Sequence, residues 1–270
     1  MDINATVLID NISEAPLLSE WGLSVMINYR GRRILLDTGR SGQFAQNAEL
    51  LGYKLSDVDF GVLSHAHYDH ADGMDDFFLI NSSSSFWLRQ GTQENCYSGE
   101  GEDRHYIGIK QGTLEKHRSR IAFASGDTEL FDGAWLISHK SDMEQAGRRA
   151  HMYLLTENGW ETDRFTHEQS LVLDTEKGLV IFNSCCHGGA DVIIEEVKST
   201  FGREVYALVG GLHLFRSSDE DVLAMAERLE KTGVQRIVTG HCTGERGFEL
   251  LKNILGERVE QMYSGMKMAF

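Results

Sequence analysis

The feature that most constrains this chain is the run Phe60-Gly61-Val62-Leu63-Ser64-His65-Ala66-His67-Tyr68-Asp69-His70. A buried strand, residues 60–64, ends on four side chains able to hold a metal within six positions. In an extended backbone, residues two apart project to the same side. His65 and His67 can therefore aim their imidazoles at one point. Asp69 and His70 follow where the chain must turn, and can reach a second point nearby. Packing alone does not explain such a cluster at the carboxyl end of a strand, and a merely solvated histidine-rich loop has no reason to start there. Nitrogen and oxygen donors without thiolates suit Zn(II), Fe or Mn.

The surrounding pattern supplies sheets and helices to carry that run. Strands are expected at 6–10, 23–29 and 33–37, a short helix at 43–51, and a further strand at 86–88. Residues 89–120 are polar, glycine-rich and without period, and read as a long loop or lid-like insertion. Beyond them, strands are expected at 121–124, 134–137 and 152–155. Strands 170–174 and 179–183 flank the turn Thr175-Glu176-Lys177-Gly178. Helix 190–201, strand 205–209, helix 219–232 with Gly233 at its end, strand 236–239 and helix 248–255 complete the chain. Strands outnumber helices and the two alternate. The class is α/β, or α+β by some schemes, with two layers of helix around sheet in one domain over 1–270.

Composition excludes several partners. With 41 acidic and 26 basic residues the net charge is −15, which disfavours nucleic acids and anionic membranes. No apolar run approaches the roughly 18 residues of a membrane span. Met1-Asp2-Ile3-Asn4 lacks the basic and apolar regions of a signal peptide. Cys185 and Cys186 are adjacent, their Cα atoms about 3.8 Å apart and too close for an ordinary disulfide. With only Cys96 and Cys242 besides, no disulfide framework emerges, and a reducing, cytoplasmic compartment is expected. Nucleophile-elbow, Walker, dinucleotide-binding, His-Glu-x-x-His and Cys-x-x-Cys motifs are all missing from the sequence.

Preceded by Leu36-Asp37-Thr38-Gly39, the His-x-His-x-Asp-His run resembles the metallo-β-lactamase superfamily, and the resemblance extends over most of the chain. It implies a four-layer αββα sandwich with a mono- or dinuclear metal site in a cleft at one edge. His65, His67, Asp69 and His70 would be ligands, joined by His241 in Thr239-Gly240-His241-Cys242-Thr243-Gly244. By position His167 takes the role of the family's middle histidine. His187, or Cys185, stands where a metal-bridging Asp would be. The stretches Gly22-Leu23-Ser24, His167-Glu168-Gln169-Ser170-Leu171, Cys186-His187-Gly188-Gly189 and Gly210-Gly211-Leu212-His213-Leu214 look like the branch named for dihydropterin-methyl-(ribofuranosyl)aminobenzene-phosphate synthase. Trp21 stands where that branch has a histidine.

The resemblance implies two divalent metal ions, Zn with Fe or Mn as alternatives, and a hydrolase working through a metal-activated water. A small anionic substrate is expected, a phosphoester ahead of a lactone, ester or amide. The alternatives are an iron-containing redox enzyme and a pterin-pathway phosphate synthase. The expected catalytic residues are Asp69, Asp37 and His213. Asp69 would be a ligand that orients water. Asp37 would fix a ligand histidine's tautomer, or simply start the turn before Gly39. His213 would donate a proton or bind phosphate at the site's edge. His105, His117, His139 and His151 read as surface or lid residues, and Tyr97, Arg104, Tyr106 and Lys110 as candidate substrate contacts in the insertion.

Overall fold

Along the strand Gln169–Thr175, Leu171 and Leu173 face one core while Val172 faces another. That period of two sorts the whole chain, because each strand of a sheet buried on both faces feeds a different core on each side. The computed structural model describes residues 3–139 and 151–270. One seven-stranded sheet runs Lys267–Ala269, Asn4–Ile9, Ser24–Tyr29, Arg32–Leu36, Phe60–Val62, Ser85–Arg89, Ile121–Ala124. A second runs Val259–Gln261, Arg236–Thr239, Val205–Val209, Gly178–Phe182, Gln169–Thr175, Ala134–Ser138, Thr128–Phe131.

The sheets meet face to face through residues such as Val25, Ile27, Leu36 and Val62 on one side and Leu171, Phe182, Val209 and Val238 on the other. Helices Gln43–Leu50 and Met74–Ile80 cover the outer face of the first sheet, where Leu8, Met26 and Leu35 pack with Phe44, Phe77 and Phe86. Helices Ala190–Phe201, Asp219–Thr232 and Glu245–Leu255 cover the second through Ile194, Met225 and Leu251. The result is a four-layer α/β sandwich. No described helix is long and apolar enough to cross a membrane.

Four expected elements, 190–201, 205–209, 219–232 and 236–239, coincide with observed ones. The helices carry clear stop signals: Gly202 and Gly233 close them in the left-handed conformation that glycine adopts without penalty. The stretch 89–120, expected as a long loop or lid-like insertion, carries secondary structure of its own. It contains strands Cys96–Ser98 and His105–Tyr106 and helix Thr113–Lys116. Its strands join Met152–Thr156 and Gly159–Thr162 in a separate four-stranded sheet. Strands of two or three residues show no periodicity, and one partner of Cys96–Ser98, the strand Met152–Thr156, lies far away in sequence.

The sheets position the functional side chains. Asp37, the run after Val62, Asn183, Gly210 and Gly240 all follow the carboxyl ends of strands. Those ends open at one edge of the sandwich, the usual place for a ligand in an open α/β sheet. The small sheet reaches over the same edge, where His67 bridges to Gly108 and Tyr68 N–H donates to Ile107 O at 2.9 Å.

Candidate metal centre

Asp37 organises the first half of the site. It is fully buried, and its Oδ1 accepts the Ser64 amide at 2.7 Å. Its Oδ2 accepts the Ser64 hydroxyl at 2.6 Å and His70 Nδ1 at 2.8 Å. The Ser64 hydroxyl proton is thereby spent on Asp37, so Ser64 Oγ accepts from His65 Nδ1 at 2.8 Å. Both imidazoles are held with the proton on Nδ1, which leaves Nε2 as a lone-pair donor. His241 is held likewise, with Nδ1 3.2 Å from Asn11 Oδ1 and its backbone N–H on Asp10 Oδ2 at 3.0 Å. Asp37 thus joins Ser64 and His70 through one carboxylate.

These nitrogens converge. His70 Nε2 lies 3.2 Å from His241 Nε2, and Asp69 Oδ2 lies 3.4 Å from His241 Nε2 and 3.8 Å from His70 Nε2. The His65 ring sits 4.6 Å from His67, 4.3 Å from His70 and 4.8 Å from His187, between ring centres. Nε2 of His65 and Nε2 of His67 are buried without a hydrogen-bond partner. An unpartnered buried polar atom costs about 1–3 kcal/mol, a penalty that a cation accepting the lone pair removes.

Protonation agrees with this reading. Burial and the neighbouring imidazoles push His65 well below the ordinary histidine value and His67 down to about 3. Both rings are neutral near pH 7, as ligation requires. Burial opposes the charge on Asp69, but His70 and His241 outweigh it and depress the carboxyl's pKa. Burial also opposes a charge on His241, yet Cys242 and Asp69 outweigh it and raise its pKa to about 9. A proton and a metal therefore compete for His241 Nε2. The donor set fits one or two divalent cations.

The two middle histidines separate. His187 faces His65 and His67, its ring stacked on Phe165 at 4.1 Å. The Glu168 carboxylate accepts the backbone N–H groups of His187 and Gly188 at 2.8 and 3.0 Å and sets that loop. His167, expected in the middle-histidine role, lies behind the cluster. Its Nδ1 accepts the Ala66 amide at 3.2 Å, and its Nε2 meets Asp163 at 3.1 Å and Cys96 Sγ at 3.7 Å. Both of its nitrogens have protein partners, and with His67, Cys96 and Asp163 it forms a further group of ligand-capable atoms within 4.8 Å of one another. Cys185 lies within the cluster, its Sγ 3.3 Å from His70 Nε2.

The backbone here is strained. Asp37, Cys186, His213 and His241 have φ of 56°, 45°, 51° and 47°, the left-handed region. Such residues cost roughly 1–3 kcal/mol each and persist where surrounding structure over-determines them, often at functional sites. Gly210 has φ 142°, and a Cβ there would lie 1.8 Å from the Asn183 oxygen, so only glycine permits the close approach of these two loops.

A cleft of about 410 Å³ opens onto the cluster, lined by His67, Asp69, Cys185, His187, His213 and His241. Trp21 and Phe215, 5.2 Å apart between ring centres, line it with Ser98, His105 and Met152 from the small sheet and Ile107 just beyond the strand His105–Tyr106. Two exposed arginines also line it, Arg40 beside the Tyr68 ring and Arg216 beside Phe215, and neither has an ion-pair partner among the described residues. His213 Nδ1 is buried without a hydrogen bond, its ring 4.3 Å from His187.

Among the four histidines expected at the surface or lid, His105 lines the cleft, His117 meets Asp75 and His151 meets Glu100. His139 is a correction: its side chain is buried, hydrogen-bonded to Glu196 and Ser170 at 3.0 and 2.8 Å. The candidate contacts of the insertion are otherwise engaged. Arg104 stacks on Tyr153 and Trp160, Tyr97 packs on Trp160, the Tyr106 hydroxyl donates to Ile109 O, and Lys110 meets Asp75. The sequence carries no signal for Asn11, Glu168 or Ser64 as supports, because each acts through a contact made only in the fold.

Residues 22–82 match the profile of the metallo-beta-lactamase superfamily. The chain is 27% identical over 271 residues to the 7,8-dihydropterin-6-methyl-4-(beta-D-ribofuranosyl)-aminobenzene-5'-phosphate synthase of Methanocaldococcus jannaschii, covering 95% of this chain and 92% of that protein. It is similar to a solved structure described as a metal-dependent hydrolase of the beta-lactamase superfamily, with 29% identity, a TM-score of 0.85 and 98% of each chain covered. A diphosphatase of the PhnP family shares the fold at 16% identity, with a TM-score of 0.56 over 100% of this chain and 98% of that one.

Proposed function

We propose that this chain is an enzyme of the metallo-beta-lactamase superfamily, a metal-dependent hydrolase of a small anionic substrate, a phosphoester ahead of a lactone, ester or amide. The observation that carries the reading is the orientation of the histidines. His65, His70 and His241 each have Nδ1 tied to a protein acceptor, which leaves Nε2 in a buried cluster beside Asp69. His65, His67 and His187 would hold one divalent ion, and Asp69, His70 and His241 a second, with zinc, iron or manganese as candidates. Bound cations would supply Lewis acidity and lower the pKa of a water in the cleft.

The chain's own residues would do the rest. Arg40 and Arg216 offer two guanidiniums with free donors to an anionic group entering the cleft. Trp21 and Phe215 present an apolar wall on the same side. Asp69 would orient the water. His213, with its unpartnered Nδ1, would hand a proton to the leaving group. The small sheet over the cleft would act as a lid that limits access of bulk water. The net charge of −15 keeps polyanions away from the surface, while bound cations would dominate the potential inside the cleft.

A second reading, an iron-containing redox enzyme, is favoured by the Cys185–Cys242 pair, whose sulfurs are 3.3 Å apart inside the same donor set. One experiment separates the two. Protein purified anaerobically is analysed for metals, then loaded with zinc, manganese or iron and offered phosphomonoesters, phosphodiesters, lactones and amides. Hydrolysis lost in His67→Ala supports the first reading, and activity that survives that change refutes it. Stoichiometric, redox-active iron without hydrolysis would establish the second.

A further inference from the structure

Among the described residues the Cys185 sulfur is shared by three groups of ligand-capable atoms. It lies with His65 and His187, with His70 and His241, and with His213 and Cys242, the atoms of each group within 4.8 Å of one another. A tetrahedral metal with nitrogen at 2.0–2.1 Å and sulfur at 2.3 Å sets neighbouring donor atoms about 3.3–3.6 Å apart. In the second half of the site, His70 Nε2 lies 3.2 Å from His241 Nε2, 3.3 Å from Cys185 Sγ and 3.8 Å from Asp69 Oδ2, and His241 Nε2 lies 3.4 Å from Asp69 Oδ2. These separations enclose a space of the right size for one such ion.

The loop is built to deliver this sulfur. Asn183 Oδ1 accepts the backbone N–H groups of Cys185 and Cys186 at 3.3 and 2.7 Å. The left-handed turn at Cys186 sends the adjacent thiols to different places. Cys186 packs into the apolar core under the helices, while Cys185 lines the cleft. Cys242 supports it: the two sulfurs share a hydrogen bond at 3.3 Å, and Cys242 Sγ accepts the His213 backbone N–H at 3.3 Å.

Resting on the metal reading given above, we infer that the Cys185 thiolate is a ligand common to both metal subsites, standing where a carboxylate bridge would otherwise sit. A thiolate carries the same single negative charge as a carboxylate, so the replacement leaves the charge of the loaded site unchanged. Metal binding releases the Cys185 proton to solvent. In the loaded site Cys242 carries a proton and donates it in the hydrogen bond to Cys185, as a positioning residue.

The test uses the full-length metal-free protein reconstituted anaerobically with Co(II), followed by metal counting and absorption. The expected result is sulfur-to-cobalt charge-transfer absorption that grows with metal, persists in Cys242→Ser, and vanishes in Cys185→Ser while cobalt stays bound to the histidines. Cys185→Asp restores two-metal binding without that absorption, and in Cys185→Ser the second ion binds more than about a hundredfold more weakly, beyond what losing a supporting residue costs. X-ray absorption of the zinc form needs no variant and is expected to show sulfur at about 2.3 Å. Cobalt bound without charge-transfer absorption, or a band that survives Cys185→Ser or disappears in Cys242→Ser, overturns this inference alone. A protein that binds no cobalt overturns the metal reading with it.

Discussion

Asp37→Asn isolates the effect of histidine tautomer on the site. The substitution keeps the shape, and asparagine tolerates the left-handed backbone at φ 56°. Asp37 accepts from three donors: the Ser64 amide at 2.7 Å, the Ser64 hydroxyl at 2.6 Å and His70 Nδ1 at 2.8 Å. Asparagine has one oxygen. If that oxygen stays toward His70, the new amide faces the Ser64 N–H, and one buried donor loses its acceptor at about 1–3 kcal/mol. If it turns, the amide donates to His70 Nδ1 and Ser64 Oγ. His70 then carries its proton on Nε2, and Ser64 turns its own proton on His65 Nδ1, with the same result there. Either arrangement disturbs the site, and the second removes two lone pairs from it.

The expected loss is about tenfold to a hundredfold in metal affinity, the range for residues that orient ligands, or about 1.4–2.8 kcal/mol. Competition against a chelator near neutral pH measures it, with circular dichroism and denaturant unfolding of the metal-free form showing that the fold persists. A folded Asp37→Asn protein that binds metal as tightly as the parent would refute the tautomer argument.

Other substitutions probe the remaining parts. His213→Gln is expected to lower kcat by about 10²–10⁴ with metal content unchanged, and an unaltered pH–rate profile would remove His213 from proton transfer. Arg216→Ala, and separately Arg40→Ala, should raise KM for an anionic substrate about tenfold or more, the worth of a charge-assisted hydrogen bond, with a smaller change for a neutral analogue; equal effects on both substrates would argue against an anion clamp. Gly210→Ala should destabilise by more than about 3 kcal/mol, because its Cβ would overlap the Asn183 oxygen, and an unchanged melting temperature would refute that packing.

What the sequence alone determined about this protein is local. His65, His67, Asp69 and His70 are close in the chain, so a strand end and one turn suffice to gather them, and the motif announces itself. The helices 190–201 and 219–232 are legible for the same reason, since periodicity and a closing glycine lie within each segment. The small sheet was not legible: Cys96–Ser98 pairs with Met152–Thr156 across a long gap, and its short strands leave no repeating pattern. The surroundings of His167 and His187 were likewise tertiary. Both flank the same hairpin, and only the fold brings Ala66 and Asp163 to the nitrogens of His167, holds the His187 backbone N–H on Glu168 and sets the His187 ring beside those of His65 and His67. The place of Cys185 at the centre of the donors depends on four loops meeting at one sheet edge, which no spacing along the chain encodes. Covalent proximity is written in the sequence, whereas which lone pairs remain free is decided only once every other donor and acceptor has found its partner.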